Sequence, residues 1–407
     1  MRTLSLTEQG TAVHADGDLL TVLRGEAVLH RVRAAELDQL LVFGRIELSS
    51  GAMALALRRG IDVVLMTSRG NFRGRLVGRG SKNVALRLAQ YRRASELAFC
   101  LRTAIRIVAA KVKHQRDVLL RAQRRLQDES LAVALGQLRL LGQRTASAAG
   151  LDVLRGLEGQ AAAVYFGQFN KLLRNNEFQF SHRTRRPPRD PVNACLSFGY
   201  AVLGTTIETE VYRCGLDPEL GFFHQPAYGR PSLMLDVLEE FRPLVDQLVL
   251  RLLNRRQLGS GDFERRSGQS LAEVLADEPP LGEPGEPLDA LLERDRGGLP
   301  EGAASADLPS GDVDHEAPEK ASLGVPHDTS GGRGSSAPVD SGVVGVYLNE
   351  SGRKIFLTEL FRRLRERMEY PPREASLELR DIIREQIYHL ARVIEGEQPE
   401  YEPFIPG

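Results

Sequence analysis

Proline placement divides this chain. None occurs before Pro187, whereas nine of the 21 lie between Pro279 and Pro338. Because proline fixes φ and removes a backbone donor, a proline-dense stretch interrupts helices and strands alike. The same stretch is rich in Gly, Ser, Asp and Glu and has no aromatic residue. It cannot bury enough apolar surface to offset its ordering entropy, so it reads as a disordered linker, with a short helix expected near 288–296. Residues 270–342 hold 16 Asp and Glu against 4 Lys and Arg, while the whole chain has 54 of each sign. The remaining body therefore keeps 50 basic and 38 acidic residues. That excess favours a polyanionic partner.

At 407 residues the chain accommodates two or three domains, and 42% hydrophobic with 27% charged residues reads as a soluble globular protein. No apolar run approaches the roughly 18 residues of a membrane helix. The first residues lack the apolar core of a secretion signal. Cys100, Cys195 and Cys214 form no close pair, which argues against a disulfide scaffold or a cysteine zinc site. A reducing cytoplasm is the expected compartment.

Residues 1–81 read as β-rich. The segments 11–15 and 19–23 flank Asp16-Gly17, a hairpin signal, and short apolar runs follow at 40–43, 46–48 and 63–66. One short helix is expected within 50–59. From 82 to 127 the pattern turns helical: Val84, Leu88, Tyr91, Ala98, Leu101, Ile105, Val108 and Val112 recur at spacings of three, four or seven. This stretch carries 12 Lys and Arg but only Glu96 and Asp117 as acids, a one-sided charge suited to phosphate. Further helices are expected over 150–176, 191–214, 231–254, 352–368 and 373–395. The fold class is therefore α+β: a β-rich domain (1–81), a mostly helical catalytic domain (82–269), an acidic linker (270–342) and a C-terminal helical part with a tail (343–407).

Three pieces carry candidate chemistry. Glu158 shares a helical face with Leu154, Ala161, Tyr165, Phe169 and Leu172, and a carboxylate on an inward stripe needs a partner. Gly156 and Gly159 leave room beside it for another chain or a ligand to approach closely. His224 lies on a loop that leads through Pro231 into a helix. On that helix Asp236 and Glu239 project from adjacent turns, where like charges repel unless a cation or a basic group lies between them. Each signal alone is weak, since such residues often serve structure or solvation. Together they suit a hard divalent cation with open water positions, and beside a basic surface they suggest metal-assisted chemistry at a phosphodiester. Walker, G-x-S-x-G, H-E-x-x-H and dinucleotide fingerprints are absent. The segment 178–191 adds Phe178, Phe180 and His182 to Arg183, Arg185, Arg186 and Arg189, which suits phosphate clamping with stacking or wedging aromatics. The bland alternative is a structural arginine loop.

These residues resemble a known family. The run 183–193, Leu196-Ser197-Phe198-Gly199-Tyr200, then His224, Arg230-Pro231-Ser232-Leu233, Asp236 and Glu239-Glu240-Phe241-Arg242-Pro243 are similar to the CRISPR-associated spacer-acquisition integrases of the Cas-one family. Val42-Phe43-Gly44, Gly60-Ile61-Asp62-Val63-Val64 and Val346-Tyr347-Leu348-Asn349 with Gly352-Arg353 extend the resemblance over essentially the whole chain except the linker and the last residues. It implies a metal-dependent DNA endonuclease and integrase that inserts short foreign DNA into a CRISPR array. It implies homodimers, two of which flank a dimer of the small Cas-two protein. It implies Glu158, His224 and Glu239 as ligands of Mg²⁺ or Mn²⁺, with Asp236 completing the site or orienting a ligand. The acidic insertion departs from the family's compact pattern. Two other readings stay open: a non-catalytic DNA-binding scaffold, and a repair nuclease acting on branched DNA.

Overall fold

The Asp16-Gly17 turn forms as its sequence requires. Gly17 sits at φ 58°, and the flanking strands pair antiparallel from Ala12 opposite Leu23 to Asp16 opposite Leu19. The computed structural model describes residues 2–78, 83–185, 187–267 and 344–405. Around this hairpin it builds β1 (Thr3–Leu6), β2 (Thr11–Asp16), β3 (Leu19–Arg24), β4 (Ala27–Arg33), β5 (Gln39–Phe43), β6 (Ile46–Leu48), β7 (Asp62–Met66) and β8 (Phe72–Leu76). Helix α1 (Ser50–Arg59) lies between β6 and β7, capped by the Ser49 side chain and ended by Gly60. One sheet runs β4-β3-β2-β6. The other runs β1-β5-β7-β8, with β1, β5 and β7 parallel.

The unbroken apolar sequences of β5 and β7 have a physical reason: this sheet is covered on both faces. Leu40, Val42 and Val63 point into a small core with Val13, Leu20 and Leu55. The alternate residues Leu41, Phe43, Val64 and Met66 point the other way, into the core of the helical part. Polar pairs lock the same junction. Arg75 on β8, nearly buried, pairs with Asp62 at 3.1 Å and with Glu208 at 3.1 Å, and Gln39 Nε2 donates to Thr209 Oγ1 at 2.6 Å.

The helical part comprises α2 (Val84–Ser95), α3 (Leu97–Leu126), α4 (Glu129–Thr145), α5 (Leu151–Gly167), the single turn α6 (Phe169–Leu172), α7 (Pro191–Cys214) and α8 (Ser232–Asn254). Then β9 (Phe263–Ser267) pairs antiparallel with β10 (Val344–Leu348), Phe263 opposite Leu348 and Ser267 opposite Val344. The chain ends with α9 (Glu350–Leu364), the hairpin β11 (Arg367–Tyr370) and β12 (Ala375–Glu378), and α10 (Leu379–Glu395). The fold is thus α+β, a β part followed by a mostly helical one, as the sequence predicts. The predicted acidic linker and its short helix lie outside the described residues. Among the described residues no helix is long and apolar enough to cross a membrane.

Several local expectations need correction. Helix α4 is not in the predicted set. Gly136 and Gly142 weaken its intrinsic propensity, but Leu131, Ala134, Leu138 and Leu141 are buried and α4 packs on α3 and α5. The predicted helices 352–368 and 373–395 lose their facing ends to the β11–β12 hairpin, where Pro371 and Pro372 stop helix propagation. On α2 the predicted inward residues Val84, Leu88 and Tyr91 are exposed, and Leu86 and Gln90 are buried instead. Gln90 sets that rotation: its amide donates to the carbonyls of Asp217 and Leu220, and its oxygen accepts from the Asp217 amide, each at 2.8 Å.

Helix α7 passes close to α8 and α9 at Gly199. A Cβ there would lie 2.5 Å from Val245 Cγ1 and 2.8 Å from Phe356 Cζ. Neither neighbour can yield without disturbing the core, so Gly199→Ala is expected to destabilise the protein by about 1–3 kcal/mol. Urea unfolding monitored by circular dichroism checks this; an unchanged midpoint would show that the helices can separate freely.

Candidate active site

The first turns of α8 are built on a buried carboxylate. Asp236 accepts from the amides of Phe222 at 2.6 Å, Phe223 at 2.9 Å and His224 at 2.8 Å, and from His224 Nδ1 at 2.7 Å. Gly221 permits this closeness, since a Cβ on it would stand 2.7 Å from Asp236 Oδ2. An ionised carboxylate only accepts, so Nδ1 carries a proton, and in the neutral imidazole Nε2 is then the nitrogen left to act as a ligand. That Nε2 lies 3.9 Å from Glu239 Oε1.

Glu239 follows one turn later and is 4% exposed. Arg242 Nε donates to its Oε1 at 2.8 Å, and Lys111 Nζ lies 2.5 Å from its Oε2. Burial raises the carboxyl's pKa, but the charges of Arg242 and Lys111 outweigh it and hold the group at about 2. Lys111, reaching in from α3, also pairs with Glu158 on α5. Arg155, one turn before Glu158, donates to the Phe223 carbonyl at 3.2 Å and ties α5 to the His224 loop. Pro243 follows on α8 and cannot donate to the carbonyl of Glu239.

The structure therefore brings Glu158 and Glu239 to one positive atom, with His224 Nε2 at the edge and Asp236 behind it. Among the described residues no group of three His, Cys, Asp or Glu is gathered as a metal site, and Lys111 stands between the two glutamates. The donor set still fits a hard divalent cation: two carboxylates already converge on a cationic charge, beside an imidazole nitrogen that is not the one held by Asp236. Asp236 is fully occupied with three amides and the imidazole, which suits orienting His224. The open side belongs to Glu158 and His224, whose side chains are 23% and 17% exposed. Among the described residues, no atom outside their own helix backbone lies within 4 Å of where a Cβ would sit on Gly156 or Gly159, so the space beside them is open.

The arginine segment divides. Arg183 donates to the Thr184 carbonyl at 2.5 Å, to Asn193 Oδ1 at 2.8 Å and to Ser197 Oγ at 3.0 Å, and lies over the Tyr200 ring. It is engaged within the fold, through residues beside the start of α7 rather than a helix C-terminal end or an acidic side chain. Phe178 and Phe180 are buried and serve the core, whereas His182 is exposed. Arg185 and Arg189 are exposed, and Arg186 lies outside the described residues.

The sequence pattern of the family described as CRISPR associated protein Cas1 matches residues 4–278. The CRISPR-associated endonuclease Cas1 2 of Rhodospirillum rubrum is 40% identical over 297 residues, covering 68% of this chain and 83% of the relative. The chain belongs to the Cas1 family. Its fold is similar to that of a casposase bound to its integration product (TM-score 0.70, 18% identity, covering 100% of this chain and 94% of that one). A Cas1 protein from Thermotoga maritima gives TM-score 0.68 at 20% identity, covering 98% of both chains. A chain of a Cas6-RT-Cas1–Cas2 complex gives TM-score 0.70 at 20% identity, covering 99% of this chain and 36% of that one. At such identities the likeness is one of fold.

Within this Cas1-family site, sequence reasoning missed Lys111. The signal existed: Val108, Lys111, Val112 and Gln115 share the inward face of α3, so a charge sits on a core stripe as it does at Glu158. It also missed the ground behind the site. Arg242 lies 4.6 Å from the centre of the Tyr200 ring, and the hydroxyls of Tyr200 and Tyr165 both donate to buried Asp246, the latter at 3.0 Å. Burial raises Asp246 to about 6 against these hydrogen bonds.

Glu240, next to Glu239, points the opposite way. It accepts from Tyr401 Oη at 2.6 Å, the Phe404 amide at 2.6 Å and Gln386 Nε2 at 2.9 Å, so it fastens the C-terminal tail to the core. Burial dominates these contacts and raises its pKa to about 7. His114 Nδ1 bonds the Glu240 carbonyl at 3.0 Å, and burial lowers its pKa to about 4. The two act in opposite senses. A raised carboxyl contributes stability that is full below its unfolded value and is lost as pH rises through 7. A depressed imidazole contributes stability that is full above its unfolded value and is lost as pH falls towards 4. The stability advantage of wild type over Glu240→Gln is therefore expected to shrink by about 2–3 kcal/mol between about pH 5 and pH 8. Denaturant midpoints across that range check it; parallel profiles for the two proteins would contradict the assignment.

Proposed function

We propose that this chain is a metal-dependent DNA endonuclease and integrase. It joins short foreign DNA fragments to a CRISPR array by attack of a 3′-hydroxyl on a phosphodiester. The observation that carries this reading is the convergence of Glu158 and Glu239 on a single cationic charge, with Nε2 of His224 beside them. Family membership adds the setting, because the Rhodospirillum rubrum relative is named an endonuclease and the casposase is bound to an integration product.

Glu158, His224 and Glu239 would hold Mg²⁺ or Mn²⁺. Bound there, the ion supplies charge stabilisation at the attacked phosphate and favours loss of the hydroxyl proton. The chain's own residues prepare the site. Asp236 fixes the tautomer and direction of His224. Arg242 holds Glu239 ionised and in place. Exposed Arg102, Lys113, Arg121, Arg124 and Arg125 on α3, with Arg185 and Arg189, supply backbone contacts to DNA without sequence readout. The exposed stripe Val84, Leu88 and Tyr91 on α2 supports self-association into a homodimer, and the Cas1–Cas2 complex of similar fold supports a Cas2 dimer as partner. In this reading residues 1–81 form the N-terminal domain, 82–269 with 343–407 the catalytic one, and 270–342 an acidic insertion. The setting is the cytoplasm.

Incubating the full chain and its Cas2 partner with a short duplex, a repeat-bearing supercoiled plasmid and Mg²⁺ or Mn²⁺ is expected to give covalent strand-transfer product. Glu158→Ala and His224→Ala are expected to lower its yield more than about 100-fold with DNA binding retained. Equal product from these variants would remove the catalytic reading. Binding without any product from wild type would favour the scaffold, and faster cutting of branched DNA than of array DNA would favour the repair nuclease. In the same system Arg185→Ala and Arg189→Ala are each expected to flatten the slope of log affinity against log salt by about one. Fluorescence anisotropy at several salt concentrations measures it, and an unaltered slope would take these arginines off the DNA path.

A further inference from the structure

Lys111 is an unusual neighbour for a metal site. Its side chain is 7% exposed, it rises from α3 between buried Val108 and Val112, and its ion-pair partners among the described residues are Glu158 and Glu239. The ammonium of Lys111 and the guanidinium of Arg242 together balance the two carboxylates of Glu158 and Glu239. A divalent ion placed between the same oxygens would meet the ammonium at short range in a poorly solvated place. Both cations cannot occupy the space between Glu158 and Glu239.

We infer that Lys111 is a resident counter-cation which occupies the space between Glu158 and Glu239 in the metal-free protein and must withdraw when a divalent ion enters, so that it sets the metal affinity of the site. The inference rests on the metal-centre reading given above. Physically, Lys111 stabilises the empty site by separating two carboxylates that would otherwise repel across a desolvated gap. Its four-carbon stem gives it another place to go, because the Glu158 side of the site is open to solvent. Lys111 is a positioning residue in this scheme, and its signature is in binding and stability.

The test is a Mn²⁺ titration of the full-length protein, with free Mn²⁺ read by electron paramagnetic resonance. Lys111→Met, which keeps an unbranched stem of similar length without the charge, is expected to bind Mn²⁺ about tenfold more tightly than wild type. Lys111→Arg, which keeps the charge, is expected to bind no more tightly than wild type. Metal-free Lys111→Met should melt below wild type and gain more from Mn²⁺. In wild type, Mn²⁺ should increase acetylation of Lys111 relative to exposed Lys113, read by mass spectrometry. Equal or weaker Mn²⁺ binding by a folded Lys111→Met protein would overturn the inference while leaving the metal centre standing. So would unchanged Lys111 acetylation in wild type that has bound Mn²⁺, a measurement that decides the matter alone if the variant does not fold. Absence of Mn²⁺ binding by wild type and both variants would overturn the metal centre, and the inference with it.

Discussion

Buried carboxylates must be compensated, and the structure depends on how α8 solves that problem three times within five residues. Asp236 is met by three loop amides and an imidazole, Glu239 by the cations of Arg242 and Lys111, and Glu240 by the hydroxyl, amide and side chain of the C-terminal region. Each compensation recruits a different element. The first fixes the His224 loop, the second draws in α3 and, through Lys111, α5, and the third closes the C-terminal tail over the core. Desolvation would make any one of these acids strongly destabilising without its partners. The same contacts that satisfy charge therefore bring distant parts of the sequence to one place.

Apolar packing supplies the platform. The parallel strands β5 and β7 divide alternate side chains between two cores, so the β part and the helical part share a sheet. Arg75 bridges Asp62 and Glu208 at that junction, where water has little access. Helix α3 packs on α4, α5 and α8, and so carries Lys111 to Glu158 and Glu239 as a consequence of helix packing rather than of a loop conformation. A site held by helices keeps its geometry better than one held by connecting segments.

Much of this was legible in the residues. Alternation and turn chemistry at 11–23 gave the hairpin, and the inward placement of Glu158 among Leu154, Ala161 and Tyr165 marked an acid in need of a partner. What stayed hidden was the identity of partners far away in sequence. Nothing local says that Lys111 reaches Glu158, or that Tyr401 reaches Glu240. The rotation of α2 departs from its apolar pattern because Gln90, a polar residue, docks inward on the carbonyls of Asp217 and Leu220 while Leu88 faces solvent. Pattern reading assumes that apolar residues choose the buried face. Here a well-satisfied amide chose it.

The candidate site also has an internal asymmetry. His224 and Glu239 are referred to the same helix, because Asp236 on α8 holds the imidazole and Arg242 on α8 holds the glutamate. Glu158 belongs to α5 and meets Glu239 through the ammonium of α3. Two donors thus keep a fixed separation set by one helix, while the third is adjusted by helix packing and by whichever cation lies between. An ion entering the site would find His224 and Glu239 already oriented, and its charge would have to replace that of Lys111 in holding Glu158. On the proposed metal-centre reading, assembly of the donor set is a cation exchange at one point, between Glu158 and Glu239.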